Sequence, residues 1–237
     1  NMRFNWGRIF LVLSLIFSIG VLYASNLKNN SRIINKINVE ITPNSSYFIS
    51  ADSIRNSINK YILTSKDSIS LSRIEQEIDK NTYIEKSQVY MSIGQELNVD
   101  VKQKEPIGRV ITADSIFYLD KNSNFMSLSK LKSSNVPIIF GFNEYSDLKY
   151  LTEISLMIKK DEFLNKNITQ IFIKDDQKID LKIRGNNTII EFGNNNRLKD
   201  KTQNLKAFYN RAISKNEIDK YKKINLRFEN QVVVVKK

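Results

Sequence analysis

The chain has 237 residues and a mass of 27.6 kDa, room for one medium domain or two small ones beside a targeting segment, which excludes a large multidomain enzyme. It contains neither Cys nor His, so disulfide frameworks, thiolate nucleophiles, Ser-His and Cys-His dyads and His-liganded zinc are excluded together. Its 37 Lys and Arg against 25 Asp and Glu give a net charge of +12, a balance suited to nucleic acid, anionic lipid or an acidic wall polymer without choosing among them.

The first segment with a clear physical signature is Ile9–Ser25, which carries no charge and is flanked by Arg3 and Arg8 before it and Lys28 and Arg32 after it. It reads as a membrane helix anchored by Trp6, Ile9, Leu15 and Tyr23, with Trp6 and Tyr23 suiting an aromatic belt. At roughly 1.5 Å per residue it spans about 25 Å, slightly under the roughly 30 Å of hydrocarbon. The competing reading is a cleaved signal peptide, but Leu22, Tyr23 and Ala24 match an A-x-A-like cleavage site poorly. Arg3 and Arg8 compete with Lys28, Arg32 and Lys36, so the positive-inside rule leaves orientation open. The expected layout is a tail over 1–8, a membrane helix over 9–25 and a juxtamembrane linker over 26–36.

Ile37, Val39 and Ile41 then alternate with Asn38 and Glu40, as in a half-buried strand, and Pro43 with Asn44 ends the run. Ile54, Ile58, Tyr61 and Ile62 recur at helical spacing, with Ser50 placed as an N-cap. Leu71, Ile74 and Ile78 predict a second helix, in which Ser72 and Glu75 have the S-x-x-E form of a capping box. Val89, Met91 and Ile93, a break at Gly94-Gln95, and Leu97, Val99 and Val101 predict a hairpin with one buried face. The order strand, helix, helix, strand, strand is a compact α+β unit, two helices over a small sheet. The apolar positions Leu71, Ile74, Ile78, Ile84, Val89, Leu97, Val99 and Val101, followed by Lys104-Glu105-Pro106-Ile107, resemble a POTRA domain of the FtsQ/DivIB cell-division family. Gly94 stands where that family commonly has a Pro before the last strand.

Downstream of Pro106 the pattern changes to short strands separated by turns. Ile116–Leu119 leads through Asp120–Asn124 into Phe125-Met126, and Val136–Gly141 follows. Leu148, Leu151, Ile154, Ser155 and Ile158 mark an amphipathic helix, succeeded by strands near 171–173, 179–183 and 189–192. Leu198, Leu205, Phe208, Tyr209 and Ala212 mark a further helix, and 224–228 with 232–235 a terminal strand pair. That ending resembles the family's closing V-D-L-R-Y strand, with Asn225 and Phe228 in place of Asp and Tyr. The resemblance is collinear from the apolar segment to the C-terminus. It implies an α+β fold with an N-terminal transmembrane helix, a POTRA domain (β-α-α-β-β) over 37–106, and a mixed β-rich domain with two or more helices over 107–237. Nine basic against ten acidic residues fall in 33–106, and 24 against 15 in 107–237, so the positive excess sits in the distal region.

A sheet that ends at the chain terminus can bind without catalysing, because its last strand leaves unpaired backbone groups as a template for a partner strand. If 224–235 form such an edge, Ile224, Leu226, Phe228, Val232 and Val234 present apolar anchors, with Arg227 and Asn230 reaching polar groups at the rim. The family resemblance implies this mode, with the coiled-coil division protein FtsB added beside the terminal strand. Phe228 lacks a tyrosine hydroxyl, and Lys236 falls where some members have an aromatic.

The resemblance further implies a non-enzymatic divisome scaffold in the bacterial inner membrane, single-pass and type II, with its tail cytoplasmic and its C-terminal domains in the periplasm at the septum. It would bind FtsB and FtsL, and through them FtsW and FtsI, without catalytic residues, metal, cofactor, nucleic acid or small-molecule substrate. A POTRA-bearing export or outer-membrane assembly component is the other reading; it predicts a barrel, whereas roughly 130 residues broken by two helices follow residue 106. A wall hydrolase needs an acid–base pair, and Asp175-Asp176, between two strands, reads as a turn instead.

Overall fold

The computed structural model describes residues 6–30, 34–43, 48–64, 70–185, 187–229 and 231–237, with the backbone alone for 6–9, 24–30 and 64. The chain divides into two compact units, Asn1–Gln103 and Lys104–Lys237.

The first unit opens with helix α1 (Trp6–Asn30). The expected transmembrane helix is corrected here: among the described residues no helix is long and apolar enough to cross a membrane. Arg8 and Lys28 lie within α1 and bound an uncharged stretch, Ile9–Leu27, that covers about 28 Å at about 1.5 Å per residue, just under roughly 30 Å of hydrocarbon. The anchoring roles expected of Trp6, Ile9, Leu15 and Tyr23 fall with it. Leu15 and Tyr23 are exposed, and the side chains of Trp6 and Ile9 lie outside the described residues.

Strand β1 (Lys36–Thr42), helices α2 (Ala51–Thr64) and α3 (Leu71–Asp79), and strands β2 (Ile84–Met91) and β3 (Glu96–Gln103) follow. The central strand is β3, parallel to β1 and antiparallel to β2, because two helices carry the chain over the sheet before it returns. Ile54 and Ile58 of α2 and Ile74 and Ile78 of α3 close on Leu97, Val99 and Val101, and all seven are buried. The Ser50 hydroxyl accepts the Ser53 amide at 3.1 Å, as its N-cap position requires. The capping box does not form. Ser70 occupies the N-cap of α3, and Glu75 accepts the Val89 amide at 2.8 Å instead, tying the helix to β2. Ile93 is not on the strand: it is fully exposed in a turn where Gln95 takes φ 60° and the Ser92 amide reaches Glu96 O at 2.9 Å.

The second unit contains β4 (Pro106–Ile111), β5 (Ile116–Asp120), β6 (Phe125–Met126), β7 (Ile138–Phe140), α4 (Leu148–Lys160), α5 (Glu162–Asn167), β8 (Ile168–Ile173), β9 (Ile179–Ile183), β10 (Ile189–Gly193), α6 (Leu198–Ser214), a 3-10 turn (Ile218–Lys220), β11 (Tyr221–Asn225) and β12 (Val233–Lys236). The sheet order is β12-β11-β10-β9-β8-β7-β4-β5-β6. Its register lines up Val110, Ile139, Ile171, Leu181, Ile190, Ile224 and Val234 as one cross-strand row. That row meets Leu151, Ile154, Leu164 and Leu205 of the helices in the core. Side chains alternate across a strand, so the neighbouring row, Phe140, Phe172, Asp180, Glu191, Asn225 and Val233, lies on the opposite face.

Helix α4 starts where the Asp147 carboxylate accepts the Tyr150 amide at 2.9 Å, and Asp161 ends it while capping α5 through the Leu164 amide at 3.0 Å. Asp175-Asp176 is a turn, as expected: the Gln177 amide donates to Lys174 O at 2.8 Å, and Asp176 is paired with Lys178 at 2.6 Å. Gly141 has φ +78°, and a Cβ there would stand 2.1 Å from the backbone oxygen of Ile173. Gly141→Ala therefore combines left-handed strain with a backbone collision, and is expected to cost about 2 kcal/mol or more; a lowered urea midpoint of the second unit checks this.

Candidate functional site

Strand β12 is the border of the large sheet; among the described residues it pairs with β11 alone. The Lys237 amide donates to Lys220 O at 2.9 Å. By alternation, Val235 and Val233 turn their backbone groups toward β11 as well, and Val234 and Lys236 turn theirs outward. Side chains divide the other way. Val232 and Val234 pack against the core, whereas Val233 and Val235, 39% and 50% exposed, lie on the face without helices. The edge thus offers an unpaired ladder with one seated and one open row of valines.

Behind it stands a charged cluster. Glu191 of β10 accepts Lys223 Nζ at 3.1 Å on one oxygen, and Asn225 Nδ2 and Arg227 Nη2, both at 2.7 Å, on the other. The Leu226 amide reaches Glu191 O at 3.0 Å, so side chain and backbone of one residue hold the end of β11. Burial alone would raise the Glu191 pKa, but the bond from Lys223 and the charge of Arg227 hold it below the ordinary glutamate value. Asp180, next in the row, pairs with Lys174 at 2.7 Å.

On the helix side, Lys201 of α6 is 1% exposed. It falls on the helix's apolar stripe, three residues after Leu198 and four before Leu205, and its ammonium reaches Asn194 O at 2.9 Å and Asn196 Oδ1 at 2.8 Å. Burial, then the charge of Arg197, pushes its pKa down to about 8.

The residues expected to bind a partner separate into three groups. Ile224 and Leu226, 0% and 2% exposed, belong to the core and cannot present side chains, because β11 is an interior strand that ends at Asn225. Val232 and Val234 are half-buried, Arg227 is exposed and tied to Glu191, and Phe228 is 47% exposed beyond the end of β11. Asn230 lies outside the described residues. The exposed Val233 and Val235, and Glu191, Lys223, Asn225 and Lys201 behind them, were not among the expected residues. The four-valine run hides which parity faces the core; a glutamate between Ile190 and Phe192, and a lysine on an apolar helical stripe, were legible signals.

Glu191→Gln should cost about 1–3 kcal/mol at neutral pH. A carboxylate with a depressed folded pKa stabilises above its unfolded value, near 4.3, and that contribution disappears as pH falls through the folded pKa; urea midpoints of both proteins should converge there. For Lys201 the sign is opposite in cause and equally definite. Between about 8 and its unfolded value near 10.4 the unfolded chain binds more protons, so stability rises with pH across that window. Lys201→Met should remove this component from the pH profile of the unfolding midpoint.

No curated protein matches the chain. A family model, FtsQ/DivIB, C-terminal related, matches residues 105–235, which contain β4 through β11 and reach into β12. The match covers more than half of the sequence and agrees with the resemblance carried by the closing strands: the chain belongs to the FtsQ/DivIB, C-terminal related family, and its role lies in cell division.

Proposed function

We propose that this protein is a non-enzymatic scaffold of the FtsQ type at the division septum, which captures FtsB, and with it FtsL, by taking a strand of the partner beside β12. The observation that carries the reading is the open border of the sheet: Val233–Lys236 pairs with β11 on one side and, among the described residues, with nothing on the other. A strand added there gains main-chain hydrogen bonds, and alternate side chains supply selectivity. Val233 and Val235 are the apolar contacts on the helix-free face, and Phe228 is a further exposed aromatic near them in sequence. The positive balance of 107–237 favours an acidic partner segment and a faster encounter. Holding FtsB and FtsL at one place makes later binding of FtsW and FtsI effectively intramolecular. The strand-helix-helix-strand-strand order of the first unit supports a POTRA module over 37–106, preceding the β domain over 107–237.

Proline at Val234 deletes an outward N–H while leaving the bonds to β11, a placement edge strands tolerate. Val234→Pro should weaken capture of FtsB at least about tenfold, or about 1.4 kcal/mol, with the second unit still melting cooperatively. Phe228→Ala should weaken it less. Undiminished capture by Val234→Pro would discard the edge as the binding site.

A further inference from the structure

Lys201 is an unusual occupant of a helix's apolar stripe. A buried ammonium without a counter-ion is costly, and a site that needed only packing would be better served by Met or Leu. Among its recorded contacts are Asn194 O at 2.9 Å, Asn194 Oδ1 at 3.4 Å, Asn196 Oδ1 at 2.8 Å and the ring of Phe192, 5.2 Å from its centroid. Every oxygen in this set belongs to 193–197, the last residue of β10 and the four-residue connection to α6.

That connection is where the link between β11 and β12 comes to rest. Arg197, held at φ 50°, donates to the backbone oxygen of Arg227 at 3.0 Å, and its guanidinium stands 3.8 Å from Glu229. Gly193 is covered by the stem of Arg227 so closely that a Cβ would lie 2.9 Å from Arg227 Cγ and 3.8 Å from Lys201 Nζ. The buried Tyr150 hydroxyl bonds Gly193 O at 2.7 Å and fixes the start of the loop from α4. Lys201, the loop and residues 227–229 therefore form one stack, with the cation innermost and the approach to β12 outermost.

We propose that Lys201 is a positioning residue for partner capture: it fixes the 193–197 loop from inside, and through Gly193 and Arg197 sets the path by which the chain enters the edge strand. The inference rests on the edge-strand reading and deepens it. Lys201 does not touch the partner, and its effect passes through residues 227–229.

The test uses the full chain with Lys201→Met, Arg197→Ala and the double variant, each measured for capture of FtsB, urea unfolding and amide exchange. Lys201→Met is expected to keep or raise the unfolding midpoint, because a buried charge that meets only neutral oxygens among the described residues is gone. It should nevertheless weaken capture about tenfold and speed exchange in 193–197 and 226–229. A merely structural lysine would move stability and capture in the same direction. Arg197→Ala should give a similar capture loss, and the double variant no more than either alone, because both act through one loop. Unchanged exchange in 226–229, or capture losses that add, overturns the proposal. Should Lys201→Met fail to fold, Asn196→Ala removes one partner of Lys201 from an exposed position; a smaller loss in the same direction supports the proposal, and none overturns it. If the native chain itself does not capture FtsB, the edge reading fails, and the exchange pattern alone decides whether Lys201 pins the loop.

Discussion

A single aliphatic row that crosses most of the large sheet in register is the constraint from which the other features follow. A pairing slip of one residue would turn every core side chain of a strand to the opposite face. Here one row of aliphatics passes from Val110 through Ile139, Ile171, Leu181, Ile190 and Ile224 to Val234 without a break. The position of the last valine is thus determined by burial several strands away. Val234 is seated because Ile224 and Ile190 are seated, and Val233 and Val235 are consequently outside.

The helix-free face repeats this order with polar groups. Phe140 stacks on Phe172 at 5.3 Å, and farther along the same row come Asp180 with Lys174 and Glu191 with Lys223, Asn225 and Arg227. Buried carboxylates are tolerated because each finds a cation, and Glu191 gathers three donors from the end of β11 and the residues just after it. Such a cluster adds little if its members are taken singly, but it ties the last interior strand to β10 at both backbone and side chain. Lys201 performs the complementary task from the helix side, where a cation meets only neutral oxygens in its recorded bonds.

Much of this architecture was legible from periodicity. Alternation marked the strands, and the spacing of Ile54 and Ile58, of Ile74 and Ile78, and of Leu151, Ile154 and Ile158 marked the helices that bury them. What escaped depended on partners distant in sequence. Ser72 and Glu75 fit a local cap, but the Val89 amide on β2 takes the glutamate. Ile93 continued an apolar parity, yet the chain had already turned. α5, at six residues, is too short for a helical period to register and is announced only by its cap, Asp161. In the run Val232–Val235 every residue is apolar, so no sequence pattern could say which side faces inward; only pairing with Asn225, Ile224 and Lys223 decides it. The apolar segment near the N-terminus had the composition of a membrane span, but no helix among the described residues is long and apolar enough to cross one.

The two ends of the large sheet are unlike each other. At the end away from β12, β6 has two residues, and its Phe125 is committed to edge-to-face contacts with Phe117 and Phe142 at 4.8 and 5.7 Å. Two residues offer too few free amides and carbonyls to template another chain. Within the large sheet, strand addition is therefore favoured at the β12 border. Two large sheets meeting at their β12 borders would close as a pair, with only the short β6 left at either end.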